Sequence, residues 1–267
     1  MSNIKRVILK NGQSIAYQII EPKSASSDEE DTPYLIFLHE GLGCMAMWKD
    51  FPHALCNRLK WPGVIYDRQG YGLSNHITKP RTINYLHEYA LMELPEIIDL
   101  IIPPQKDFFI VGHSDGGSIG LIYASEQNAR LKGVITEAAH VFVEPETIRG
   151  IEEALKAFEK GALGSLTKYH GEKTEKTFHA WSDTWLSPHF KYWNIEYLLP
   201  SIISPVMAIQ GVNDQYGTAA QVDTIVNKVS GKSVKTMVKK CGHAPHIQQK
   251  NEVLNIMTSF LYESPVF

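Results

Sequence analysis

Short continuous apolar runs recur along this chain, and stretches of helical periodicity separate most of them. The run YLIFL at 34–38 has the character of a strand buried on both faces. Similar runs stand at 64–66, 108–111, 134–135 and 206–209, with a weaker one at 234–238. Apolar spacing of three to four residues predicts helices over 48–59, 82–102, 118–130, 219–229 and 252–261. Before them, 5–10 and 14–19 flank Asn11-Gly12, a strong hairpin signal. Strands alternating with helices predict a mainly parallel sheet covered on both faces, with no internal repeat.

The alternation breaks over residues 140–201. Within this stretch 145–160 reads as an amphipathic helix: Pro145 sits near its start, Ile148, Ile151, Leu155 and Phe158 share a stripe, and Gly161 follows. The segment 178–199 holds three of the five tryptophans, Trp181, Trp185 and Trp193. The expected division is therefore a core of 1–139 and 202–267 with a helical cap at 140–201. Open α/β sheets bind ligands at the carboxyl edge of the strands, so a cap there walls a pocket. About a third of its aromatic residues are expected to face that pocket. Residues 23–32 are polar, acidic and Ser-rich and predict a mobile loop.

Composition narrows the picture only modestly. The chain has 267 residues, 43% hydrophobic and 21% charged, with a formal net charge of −3. That balance speaks against a nucleic-acid or anionic-membrane surface. Three cysteines, Cys44, Cys56 and Cys241, cannot all pair and lack C-x-x-C spacing, which predicts free thiols in a reducing compartment. No secretory leader or membrane-spanning run is visible, and a cytoplasmic location is expected.

The chemistry centres on Gly112-His113-Ser114-Asp115-Gly116, between an apolar run and a helical stretch. A serine flanked by glycines at a strand-to-helix junction suits a tight turn that lifts the hydroxyl clear of the sheet. The motif alone is weak, since roughly one chain in ten of this length carries it by chance at ordinary Gly and Ser frequencies. A serine hydroxyl also needs a base and an orienting carboxylate. The base is read as His243, on the loop after the last strand; His246 is the rival. The acid is read as Asp214, after the 206–209 strand; Glu137 is the alternative. Oxyanion donors are expected from the backbone N–H groups of Asp115 and Gly41, the latter in His39-Glu40-Gly41-Leu42-Gly43. His39 and Glu40 are expected to brace that loop. A metal site at Cys241, His243 and His246 lacks a fourth ligand, so no metal or other cofactor is expected.

These residues resemble the α/β-hydrolase family along nearly the whole chain. The order Ser114, Asp214, His243, with an insertion between nucleophile and acid, is the nucleophile–acid–base order of its capped members. Asp67-Arg68-Gln69-Gly70-Tyr71-Gly72-Leu73-Ser74 is similar to their D-x-x-G-x-G-x-S turn, for which a structural role is expected. One departure stands out: the family's usual His-Gly is His39-Glu40 here. The resemblance implies a mostly parallel eight-stranded sheet flanked by helices, with a helical cap. It further implies a serine hydrolase working through an acyl-enzyme on Ser114. Haloalkane dehalogenases and epoxide hydrolases of this fold carry aspartate at that position, which argues against their chemistry. The expected substrate is a small molecule, apolar or aromatic: an ester, lactone, thioester or C–C diketone. Leu42, Trp48, His113, Phe142, Trp181 and Trp185 are the expected substrate contacts. The alternatives are a non-hydrolytic ligand-binding protein, an acyltransferase and a cofactor-free oxygenase.

Overall fold

The computed structural model describes residues 4–23 and 32–264, so most of the polar loop expected at 23–32 lies outside the described residues. Its strands are β1 (Lys5–Ile8), β2 (Ser14–Ile20), β3 (Tyr34–Leu38), β4 (Gly63–Tyr66), β5 (Phe108–His113), β6 (Leu131–Glu137), β7 (Val206–Gly211) and β8 (Ser233–Val238). They form one sheet in the order β1-β2-β4-β3-β5-β6-β7-β8. The hairpin β1–β2 pairs antiparallel, and β2 runs antiparallel to β4. All remaining pairs are parallel. The chain turns at Asn11-Gly12, where Gly12 has φ +80°.

The helices are α1 (Phe51–Leu59), α2 (Tyr85–Glu88), α3 (Leu94–Ile101), α4 (Asp115–Ala124), α5 (Pro145–Glu159), α6 (Thr167–His170), α7 (Thr174–Trp185), α8 (Ala219–Lys228), α9 (Pro245–Gln248) and α10 (Lys250–Glu263). Strand pleating assigns alternate residues to two apolar layers. Leu35, Phe37, Phe109, Val111 and Ile135 pack with Phe51, Leu55, Val253 and Met257 of α1 and α10. Ile36, Leu38, Phe108, Ile110 and Val134 pack on the other face, with Leu86, Leu94, Ile119, Val222 and Ile225. Among the described residues no helix is long and apolar enough to cross a membrane.

Three predicted helices differ in detail. The stretch 82–102 is α2, a π turn at Tyr89–Glu93 and α3. Pro95 has no N–H, and in a regular helix its ring would clash with the carbonyl four residues back, so the ladder loosens just ahead of it. The 48–59 helix opens later, at Phe51 with Pro52 in its first turn, after a 3₁₀ turn at Met45–Trp48. Helix α4 starts three residues early because the Ser114 turn feeds straight into it, and it ends at Ala124.

Between β6 and β7 the chain holds α5, α6, α7 and 3₁₀ turns, with one isolated bridge, Phe142 to Asn194. Its inward face carries Ile151, Phe178, Trp181, Trp185, Phe190 and Trp193, continuous with the sheet layer on that side. Phe158 stacks on Phe178 at 3.9 Å and Phe190 on Trp193 at 5.4 Å. Tyr192 and Tyr197 point outward.

Candidate active site

Strand β3 lies between β4 and β5, so the loops after β3 and β5 leave its carboxyl end in opposite directions. The crevice at such a reversal is where open α/β sheets place ligands. Two backbone segments converge there. At the end of β5, Ser114 adopts φ +52°, ψ −117°, a conformation that bulky residues avoid. The glycines around it are sterically required: a Cβ on Gly116 would overlap the Leu38 carbonyl, and one on Gly112 would overlap the Gly116 backbone. The turn is pinned by the Ser114 N–H donating to Glu137 O at 2.8 Å.

The hydroxyl so raised donates to Nε2 of His243 at 3.0 Å. Nδ1–H of the same ring donates to Asp214 Oδ1 and Oδ2 at 2.9 and 3.0 Å. Asp214 sits three residues beyond β7, and its Oδ1 also accepts from the Tyr216 N–H at 2.8 Å. Burial would raise its pKa, but the hydrogen bond and charge of His243, with that N–H, bring it below the ordinary aspartate value. His140, whose ring lies 5.9 Å from His243, is held neutral by burial and by His243 itself.

The two rival residues hold each other. Glu137 Oε2 accepts from His246 Nδ1–H at 2.6 Å, with both side chains almost fully buried.

The loop 39–43 is braced through its carbonyls. Arg68, fully buried, donates to His39 O, and to Glu40 O at 3.0 Å. His170 of α6 donates from Nε2 to Leu42 O at 2.8 Å. A trans peptide points its N–H opposite its C=O, so anchoring the Glu40 carbonyl on Arg68 turns the Gly41 N–H the other way. Among the described residues, neither the Gly41 nor the Asp115 N–H has a protein acceptor. His39 donates from Nδ1 to Glu40 O at 2.8 Å and accepts the Arg68 N–H at Nε2. Burial and Arg68 keep its ring neutral.

The 67–74 turn is structural, as its glycines suggested. The Asp67 carboxylate accepts the N–H groups of Met45 and Leu73 at 2.6 and 2.7 Å. Lys173 of the 140–201 segment donates to the carbonyls of Tyr71, Gly72 and Ser74. These contacts tie that segment to the turn.

Over Ser114 and His243 lies a cavity of ≈ 130 Å³, walled by Leu42, Ile151, Trp181, Trp185, Tyr216 and His140. Leu42, Trp181 and Trp185 were expected there. Trp48, His113 and Phe142 were also expected and do not line it. Trp48 turns into the α1–α10 layer, 4.4 Å from the His246 ring, because it lies in the 3₁₀ turn before α1 rather than on the helix expected from 48. His113 lies behind the site and donates to the His243 carbonyl at 2.6 Å. Phe142 is held by its bridge to Asn194, and its carbonyl accepts from Gln221. Sequence reasoning missed His140, Thr147 and Tyr216 as wall residues, although Tyr216 follows Asp214 by only two positions. A larger cleft of ≈ 760 Å³, bordered by Asn11, Arg81 and Glu93, shares none of Ser114, Asp214 and His243.

Fold and site together define a protein of the α/β-hydrolase class. A model of the alpha/beta hydrolase fold family matches residues 33–194, and the chain belongs to that family. It is 25% identical over 213 residues to the serine hydrolase BPHL of Mus musculus, covering 77% of this chain and 71% of that protein. It is 27% identical over 149 residues to 2-succinyl-6-hydroxy-2,4-cyclohexadiene-1-carboxylate synthase of Enterobacter sp. (strain 638), covering 56% of this chain and about half (52%) of that protein. The crystal structure of the enol-lactonase from Burkholderia xenovorans LB400 superposes with a TM-score of 0.73 at 18% identity, covering 97% of this chain and 100% of that one. At that identity the likeness is one of fold.

Proposed function

We propose that this chain is a serine hydrolase that cleaves a small carboxylic ester, or a related lactone, thioester or C–C diketone, through an acyl-enzyme on Ser114. The observation that carries the reading is the hydrogen-bonded line from Ser114 Oγ through His243 to Asp214. His243 takes the hydroxyl proton as Oγ attacks the carbonyl carbon. The Gly41 and Asp115 N–H groups receive the developing oxyanion; one such donor is typically worth about 10²–10³ in rate. The tetrahedral adduct collapses as His243 hands its proton to the leaving alcohol. Water then loses a proton to His243, attacks the acyl carbon and releases the acid, returning the proton to Ser114.

The segment 140–201 acts as a cap that supplies Trp181 and Trp185 to the acyl wall. A cavity of about 150 Å³ accommodates benzene, so ≈ 130 Å³ suits an acyl group of up to about one aromatic ring. The test is turnover of p-nitrophenyl acetate, benzoate and palmitate by wild type and Ser114→Ala. Acetate or benzoate turnover lost in the variant supports the reading; equal rates in both proteins overturn it. A parallel screen of lactones, thioesters and diketones separates the bond types.

A further inference from the structure

Glu40 is where this chain departs from the His-Gly of similar loops, and its half-buried carboxylate stands against a second, buried histidine. Its Oε2 lies 3.4 Å from Nδ1 of His113, a charge contact rather than an aligned hydrogen bond. The opposite nitrogen, Nε2–H, donates to the His243 carbonyl at 2.6 Å. One imidazole thus spans from the oxyanion loop to the base loop, standing on the residue just before the nucleophile. The carboxylate fits because residue 43 has no side chain: a Cβ on Gly43 would overlap it.

We infer that Glu40 and His113 form a strut between the oxyanion loop and the base loop, and that both are positioning residues that keep His243 in line with Ser114. The inference rests on His243 serving as the base.

The strut works best when His113 carries both ring protons, one toward Glu40 and one on the His243 carbonyl. Burial opposes that charge, but Glu40, the nearby Glu137 carboxylate of β6 and the carbonyl outweigh it and raise the His113 pKa. The other groups around this ring are His243 at 5.3 Å, His246 of α9 at 4.9 Å and the uncharged Trp48 at 6.2 Å between ring centres. For its part, Glu40 is held ionised: burial pushes its pKa up, and the contact and charge of His113 lead the effects that more than reverse it. The strut is complete at pH below the His113 pKa and weakens as pH rises through it.

Two variants disturb this contact by different routes. Glu40→Gln removes the charge at nearly constant shape, whereas Gly43→Ala leaves every titrating group in place and pushes the flexible carboxylate aside. The His113 ring resonance is followed against pH by NMR of protein labelled at histidine, and assigned by its loss in His113→Gln. The expected result is a titration about 1–3 units lower in Glu40→Gln than in wild type, and a shift in the same direction in Gly43→Ala. Turnover of p-nitrophenyl acetate should show kcat reduced about tenfold or more with KM nearly unchanged, and an alkaline limb displaced by the same amount as the His113 titration. An unmoved His113 titration overturns the strut, as does a shifted one with kcat and the alkaline limb unchanged. If no substrate is turned over, the hydrolase reading fails separately. The strut then stands or falls on the low-field His243 Nδ1–H resonance, which should broaden in Glu40→Gln and contradicts the strut if it stays sharp.

Discussion

Two carboxylate–imidazole pairs lie side by side at the carboxyl edge of the sheet, and only one of them reaches the Ser114 hydroxyl. Asp214–His243 and Glu137–His246 have similar lengths, 2.9 and 2.6 Å. They differ in what surrounds them. The His243 side chain is 14% exposed and opens on the cavity, whereas His246 is 3% exposed, packed against Trp48 and Phe51. Glu137 is still a pleated residue of β6, so it faces the same layer as Ile135. Asp214 has left its strand by three residues and is free to turn toward the crevice. Contact between a carboxylate and an imidazole is common to both pairs; release from the sheet and reach to Ser114 are what set apart the pair to which we assign the catalytic role.

The comparison breaks most sharply on mutation. His243→Ala should lower kcat by about 10⁴–10⁶ with the fold intact, as losses of a nucleophile's base do; steady-state turnover with a circular-dichroism control measures it. Asp214→Asn should lose roughly 10⁴ by leaving His243 in the wrong tautomer. On the other side, His246→Ala leaves Glu137 buried without its partner and should destabilise the protein by about 3–5 kcal/mol. Its kcat per folded molecule should stay within about tenfold of wild type. A denaturant titration paired with active-site counting separates the two effects, and a fully folded but inactive His246→Ala would erase the distinction.

A smaller effect is expected at Glu93, which belongs to neither pair. Its Oε2 accepts only the Gln69 N–H, at 3.0 Å, and burial pushes its pKa up to about 7. Folded protein then binds more protons than unfolded between roughly pH 4.5 and 7, so stability falls as pH rises through that window, by on the order of 3 kcal/mol. Asp214 has the opposite sign: its depressed pKa contributes stability above the unfolded value that is lost in acid. Glu93→Gln should therefore raise the melting temperature at pH 8 and leave it level or lower at pH 4.5. The same shift at both pH values would contradict the burial account.

Much of this arrangement was legible before any coordinates. Apolar runs marked the buried parallel strands because such strands are covered on both faces, and Gly-Ser-Gly spacing marked the turn at Ser114. Asp214 and His243 follow strands, where loops converge. What escaped was lateral. Whether Trp48 faces the cavity or the α1–α10 layer depends on the helix that starts three residues later. Arg68 reads only as one residue of a structural turn, and it is the fold that brings its guanidinium under the carbonyls of His39 and Glu40. The pairing of Glu137 with His246 joins residues 109 apart in the chain, with the whole 140–201 segment, β7, α8 and β8 between them, and no local pattern announces it.

The most direct test is fluorophosphonate labelling, with the modified peptide located by mass spectrometry in wild type, His243→Ala and His246→Ala. The account predicts a single adduct on Ser114 in wild type, little or none in His243→Ala, and near-normal labelling of the folded fraction of His246→Ala. Absence of label on Ser114 in wild type, or equal loss in both histidine variants, would contradict it.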